Sequence, residues 1–272
     1  MKNQYRRYVI VCALCLTALG CRAGQRSVDA GTDPVAAAKT EVLIQLNERS
    51  TRIVDFTLAG LRCVERCNQA DAPTQAYRLQ MRAPGYFRIE LPADDALTLF
   101  DGKQLLAVDN RRKSFQRVAL DPADKNLATL PYGVLNAFLV EGWHAPLLVV
   151  AATDLRGRLE TTGGNPLFVL ERPLHDAELD RVEFWFRLPK ADFVKKRFVQ
   201  KNGQALKTVE VDSEHLDPRT GYSFAKSWRT LDASGAVVGF NRLTEVAINS
   251  GVAMTAFAAT VPADYTEAKA TP

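Results

Sequence analysis

The stretch Arg82-Ala-Pro-Gly-Tyr-Phe-Arg-Ile-Glu-Leu-Pro92, continued by Ala96-Leu-Thr-Leu-Phe100 and Asp101-Gly-Lys-Gln-Leu-Leu-Ala-Val-Asp109, decides how this chain folds. Phe87, Ile89 and Leu91 alternate with Arg88 and Glu90, the period of a half-buried strand. Leu97 and Leu99 follow at the same spacing and are read as a continuation of the same apolar face. Asp101-Gly102 then supplies a two-residue hairpin signal. Beyond it Leu105 and Ala107 alternate with Leu106 and Val108, so the next strand is apolar on both faces. Three consecutive antiparallel strands with a strongly apolar face need a cover, and the nature of that cover is the functional question.

Upstream, Asp33-Pro34 opens a helix read from Pro34 to about Glu48, with Ala38, Val42, Leu43 and Leu46 on one stripe. Val54, Phe56 and Leu58 alternate, as do Tyr77, Leu79 and Met81. Further strands are expected over Ser114–Leu120, Leu167–Leu170, Arg181–Leu188, Asp192–Gln200, Ala205–Glu214, Tyr222–Leu231, Ala236–Ile248 and Val252–Pro262. Asn202-Gly203, Ser234-Gly235 and Asn249-Ser-Gly251 punctuate them as turns. Strand after strand on short turns means an antiparallel meander, either an open sheet or a barrel.

One apolar interruption breaks the meander. Ala123 to about Ala152 carries Leu130, Tyr132, Leu135, Phe138, Leu139 and Trp143, and reads as one or two helices broken at Gly142 and Pro146. It is either a core helix or a lid over an apolar cavity. The architecture expected is therefore mainly β with helices, an α+β chain.

The N-terminus points to export. Lys2, Arg6 and Arg7 precede an apolar run, Tyr8 to Leu19, too short for a stable bilayer span. Thr17-Ala-Leu-Gly-Cys21 resembles a bacterial lipobox, which implies cleavage before Cys21 and lipidation of that residue. Arg22 stands where Asp would be the usual inner-membrane retention signal, so the outer membrane is favoured. The formal charge of +4 falls to about +1 without the three leader cations, which gives nucleic acid no handle. With Cys12 and Cys15 in the leader and Cys21 lipidated, Cys63 and Cys67 remain as an even pair in an oxidising compartment. In a straight strand their Cα atoms would be roughly 13 Å apart, beyond bridging range. Their disulfide therefore requires a turn at Val64-Glu65-Arg66.

Chemistry-bearing patterns are sparse. His144, His175 and His215 have no second metal ligand at helical or hairpin spacing, and His175-Asp176 with Glu178 reads as a solvated loop. Asp94-Asp95 are neighbours whose side chains point apart, a poor carboxylate pair. No nucleophile elbow or phosphate loop occurs, and no cysteine is left as a nucleophile. The sequence predicts neither an enzyme nor a bound cofactor or metal.

Over roughly Glu41 to Tyr265 the chain resembles the outer-membrane lipoprotein-sorting family, the LolA/LolB-like superfamily. The resemblance rests on four segments: the helix running into Thr51-Arg-Ile-Val-Asp-Phe56, Ala83-Pro-Gly-Tyr-Phe87-Arg, Leu99-Phe-Asp-Gly-Lys103-Gln-Leu, and Asn249 to Pro262 as a closing strand. It implies an unclosed antiparallel β-barrel, a half-barrel, with an N-terminal helix and a mid-chain helical lid over an apolar cavity. It also implies binding of acyl chains without covalent chemistry, or, as in some relatives, sensing of envelope stress. Phe87 and Ile89 match cavity-lining positions, and Tyr77, Leu79, Met81, Leu91, Leu97 and Leu99 join them as the expected lipid-binding wall. The lid is expected from Leu130, Tyr132, Leu135, Phe138, Leu139 and Trp143. In the soluble carrier of the family an Arg directly before the Pro holds the lid closed; here that place is Ala83, with Arg82 one residue earlier.

The expected organisation is a signal peptide over 1–20, a lipidated tether over 21–33, the half-barrel domain over 34–265 and a C-terminal tail over 266–272. The expected partners are lipid or lipoprotein acyl chains, the outer membrane through the Cys21 anchor, and a periplasmic carrier protein. The alternative is an envelope sensor or protein-interaction module on the same fold.

Overall fold

The computed structural model describes residues 33–63, 65–69, 71–83, 85–119, 138, 143, 154–258 and 260–268. The chain divides into two units, Met1–Asp33 and Pro34–Pro272, and the architecture that follows is that of the second. Helix α1 (Pro34–Arg52) leads into β1 (Asp55–Cys63), β2 (Gln75–Arg82), β3 (Tyr86–Leu91), β4 (Ala96–Phe100), β5 (Gln104–Asp109) and β6 (Ser114–Ala119). After residue 154 come β7 (Arg156–Thr162), β8 (Asn165–Pro173), β9 (Leu179–Arg187), β10 (Asp192–Gln200), β11 (Ala205–Leu216), β12 (Ser223–Asp232) and β13 (Val237–Ile248). A 3-10 turn (Met254–Phe257) and a short β14 (Thr266–Glu267) end the described chain.

All strands join one sheet in the order β14-β6-β5-β4-β3-β2-β1-β13-β12-β11-β10-β9-β8-β7, which is not closed into a barrel. Each half is a meander of hairpins, and β1 pairs with β13 to join the halves. The expected half-barrel sheet with an N-terminal helix is what the chain forms. Gly163-Gly164, both at positive φ, make the two-residue turn between β7 and β8, the conformation such hairpins demand.

Inner-face side chains from β1–β4 and from β8–β13 meet in a single hydrophobic cluster, so the sheet curls around it. Val42 and Leu46 of α1 drop into this cluster, with Ala38 and Leu43 packed at its edge, as the helical stripe requires. The helix also holds on by charge. The Arg49 guanidinium, 1% exposed, donates to Asp192 at 3.3 Å and to the Lys190 carbonyl at 3.2 Å. It lies over the Tyr222 and Phe224 rings at 4.9 and 5.5 Å.

The outer face has covers of its own. On β4–β6 a second cluster of Leu99, Leu106 and Val108 is packed by Leu97, Phe115, Val261 and Tyr265. The last three of these partners come from β6 and from a C-terminal strap. The strap is pinned along its length. Arg82 donates to the Val252 carbonyl and Arg88 to the Ala256 carbonyl, and the Tyr86 and Phe257 rings lie 5.8 Å apart. Further on, Tyr265 donates to Asn110 at 2.9 Å, Lys113 pairs with Asp264 at 2.9 Å, and β14 runs parallel to β6. On β8–β10 a third cluster, Leu167, Val169 and Trp185, is roofed by charge: Lys195 and Arg197 lie over the indole at 4.5 and 5.0 Å. Fully buried Glu183 accepts from Arg197 at 2.6 Å and Arg181 at 2.9 Å.

Two expectations are corrected here. Leu97 and Leu99 do not share the face of Phe87. The turn after Leu91, with Asp95 at positive φ, sets a register in which Ala96 opposes Leu91 and Thr98 opposes Ile89. Leu97 and Leu99 then oppose Glu90 and Arg88 on the outer face, buried by the strap, because a one-residue change of phase reverses every side chain. Val252–Pro262 is not a closing strand: β13 already has β12 and β1 on its two sides, so the chain leaves the sheet after Asn249 and crosses its outer face. β7 has no apolar alternation to announce it, and β14 lies within residues 266–272.

Candidate functional site

The candidate site is the inner face of β1–β4. In β2 Tyr77, Leu79 and Met81 alternate inward, and pairing sets Leu79 against Ile89 and Met81 against Phe87. Across the other edge Phe56 opposes Met81 and Leu58 opposes Leu79. Phe100 continues the surface opposite Phe87, their rings stacked at 6.0 Å. Leu79 and Phe87 are 0% exposed, and Leu91 is partly buried at the edge of the same cluster. The structure therefore brings Tyr77, Leu79, Met81, Phe87, Ile89 and Leu91 together as one apolar wall. Leu97 and Leu99 are excluded from it.

Of the residues expected to form the lid, Phe138 and Trp143 are described and both are buried against this wall or next to it. Phe138 meets Tyr77 edge-on at 5.0 Å, and the Arg62 guanidinium covers its ring at 4.2 Å. Trp143 stacks on Phe224 at 4.8 Å, reaches Phe56 at 6.1 Å, and donates its indole N–H to the Ala225 carbonyl at 2.5 Å. Leu130, Tyr132, Leu135 and Leu139 lie outside the described residues, as does Cys21.

Arg82 is committed elsewhere: its bond to the Val252 carbonyl ties β2 to the C-terminal strap on the outer face. Cys63 and Cys67 form the expected disulfide with Cα atoms 5.8 Å apart, and Arg66 between them adopts positive φ to make the turn.

Polar groups on the inner face escaped the sequence reading. The Tyr77 hydroxyl is buried and has no hydrogen-bond partner among the described residues, and burial raises its pKa. Burial lowers the Arg62 pKa, and burial likewise lowers that of Arg49. Period-two patterning announces Tyr77 as apolar wall but carries no signal that its oxygen has no partner among the described residues. Among the described residues no group of His, Cys, Asp and Glu is arranged to hold a metal ion. His175 belongs to a loop in which Asp176 accepts the backbone N–H groups of Glu178 and Leu179. Asp94 and Asp95 serve different partners, Gln75 and Asn110.

An open antiparallel sheet curled on an apolar inner face, with an N-terminal helix packed inside, is a LolA-like fold. Solved structures with this architecture include a DUF1329 family protein from Desulfovibrio piger, with a TM-score of 0.59 at 15% identity over 84% of this chain and 98% of that one. A putative outer membrane lipoprotein-sorting protein domain from Vibrio parahaemolyticus gives 0.55 at 15% identity, covering 79% and 95% of the two chains. A LolA superfamily protein from Nitrosomonas europaea gives 0.51 at 16% identity, covering 82% and 97%. At these identities the likeness is one of fold. No protein-family model matches the sequence, and a search of curated proteins finds no match. No helix among the described residues is long and apolar enough to cross a membrane.

Proposed function

We propose that this protein binds acyl chains of lipids or lipoproteins on the inner face of its half-barrel, as a non-enzymatic carrier or receiver in the bacterial envelope. The observation that carries the reading is the wall of Leu79, Met81, Phe87 and Ile89, apolar on an unclosed LolA-like sheet. Each acyl methylene moved onto such a surface contributes about 0.8 kcal/mol, so a single chain gains enough without any covalent chemistry. Phe138 and Trp143 occupy positions over the inner face. Binding then exchanges aromatic surface for an acyl chain, and release reverses the exchange.

The leader over 1–20 and the lipobox-like Cys21 support export, lipidation and tethering over 21–33 to the outer membrane, facing the periplasm. A tethered receiver of this kind accepts its cargo from a periplasmic carrier protein. The similarity of fold to a lipoprotein-sorting domain supports the same reading.

The test is direct. Protein purified gently from its native membrane is analysed by native mass spectrometry, and the delipidated protein is titrated with a fluorescent acyl probe. The expected outcome is a bound acyl species in the first measurement and saturable binding of one chain in the second. Protein that carries no lipid and ignores the probe refutes the proposal.

A further inference from the structure

One corner of the inner wall is polar in an unusual way. Pairing of β1 with β2 sets Gly60 opposite Tyr77 and Arg62 opposite Gln75, so all four share the inner face. A Cβ on Gly60 would come within 3.2 Å of the Tyr77 Cζ and 2.7 Å of the Arg242 carbonyl oxygen. The missing side chain is what lets the Tyr77 ring lie there. The phenol is 2% exposed, and its hydroxyl has no hydrogen-bond partner among the described residues. A buried hydroxyl left unsatisfied costs about 1–3 kcal/mol, and an orphan of this kind calls for a reason. Burial also keeps the phenol protonated, so it stands as an unspent donor.

Arg62 lies beside it. Its Nε donates to Gln75 Oε1 at 2.7 Å, and Gln75 in turn donates to Asp94. Neither terminal nitrogen of Arg62 bonds to another described residue. The guanidinium rests on the Phe138 ring at 4.2 Å, and the same ring meets Tyr77 edge-on at 5.0 Å. A half-buried cation and an unspent phenolic donor thus converge on one aromatic side chain. Leu79 and Met81 continue from Tyr77 on the same face of β2, about 13 Å along the strand to Met81.

We infer that this corner is a headgroup site for an amphiphile ending in an oxyanion, a carboxylate or a phosphate. Arg62 pairs with the charge, Tyr77 donates to one of its oxygens, and the chain runs over Leu79 and Met81. Charge-assisted hydrogen bonds from a guanidinium are the strong kind, and the Tyr77 hydroxyl gains in the complex a partner that no described residue supplies. The inference rests on the acyl-binding reading and adds the chemical class of the ligand's polar end.

The experiment compares cis-parinaric acid with its methyl ester on the full-length protein, the Tyr77→Phe variant and the Arg62→Gln variant. The natural protein is expected to bind the acid about tenfold more tightly than the ester. Arg62→Gln removes that preference, and Tyr77→Phe weakens the acid roughly threefold to tenfold while raising the unfolding midpoint, since it deletes the orphan hydroxyl. Displacement of the ester by dodecanoate, dodecyl phosphate and dodecanol identifies the oxyanion: the better of the two anions marks the source. Equal affinity of the natural protein for acid and ester, a preference that survives in Arg62→Gln, or anions no better than dodecanol overturns the headgroup site and leaves acyl binding standing. Failure to bind either probe overturns the acyl-binding reading and the headgroup site with it.

Discussion

Asp192→Ala isolates the charge that fixes α1 inside the curled sheet. Arg49 is 1% exposed, and it reaches Asp192 and the Lys190 carbonyl through the same Nη2, at 3.3 and 3.2 Å. Its Nε and Nη1 have no hydrogen-bond partner among the described residues. Desolvation lowers its pKa, and Asp192 is the chief group opposing that effect. Removing the carboxylate leaves a buried guanidinium with one carbonyl and two aromatic faces, Tyr222 and Phe224. Breaking a buried pair from one side costs about 3–5 kcal/mol. For a domain of this size that is a fall in midpoint of about 6–20 °C. Arg49→Met removes the charge together with its unspent donors and keeps an unbranched apolar chain against the two rings. It leaves Asp192, whose side chain is 11% exposed, at the edge of solvent, so its cost is the smaller of the two. The double variant Arg49→Met with Asp192→Ala is expected to be more stable than Asp192→Ala alone. Urea unfolding followed by tryptophan fluorescence, with unchanged m, measures all three. An Asp192→Ala protein within about 1 kcal/mol of the natural one, the scale of an exposed pair, refutes the reasoning, and so does an Arg49→Met protein that loses more than Asp192→Ala.

Replacing Cys63 and Cys67 together by Ser opens the short loop they close and is expected to lower stability by about 2 kcal/mol, the chain-entropy value for so small a ring. Denaturant midpoints with and without reductant measure it, and a natural protein indifferent to reductant counts against the account. Gly157→Ala places a Cβ 2.3 Å from the Phe168 Cζ, backing a fully buried ring. Overpacking of that kind costs about 1–3 kcal/mol, read as a lowered midpoint, and an unchanged midpoint contradicts the packing described for β7 and β8.

Much of the fold was legible because it is written in periods. Val42 and Leu46 recur at helical spacing and are fully buried. Tyr77, Leu79, Met81, Phe87 and Ile89 recur at spacing two and do share one face. The pattern of β5 is apolar on both faces, and its Leu105 and Leu106 do serve clusters on opposite sides of the sheet. Periodicity within a strand carries no phase across a turn, however. That is why the pattern of Leu97 and Leu99 does not reveal their face: the four residues between Leu91 and Ala96 set the register.

The C-terminal segment shows a different limit. Its apolar residues, Val252, Phe257 and Val261, signal burial without saying against what. The pairing of β1 with β13 fills the available edge and sends the segment over the outer face, where Arg82 and Arg88 hold its carbonyls. Such a pairing joins residues nearly two hundred positions apart, and nothing local encodes it. β7 escaped for the opposite reason, since Arg156-Gly-Arg-Leu-Glu-Thr-Thr162 has no alternation and is a strand because β8 pairs with it.

The sequence alone determined the helix, most of the strands, the paired cysteines and the apolar character of the wall, because burial imposes a period on neighbouring residues. Tertiary structure alone decided which leucines face inward, that a C-terminal strap covers the outer face, that Arg49 meets Asp192, and that Arg62 lies beside a Tyr77 hydroxyl with no partner among the described residues. Those facts depend on register and on contacts between distant segments, and a linear pattern of apolar and polar residues carries neither.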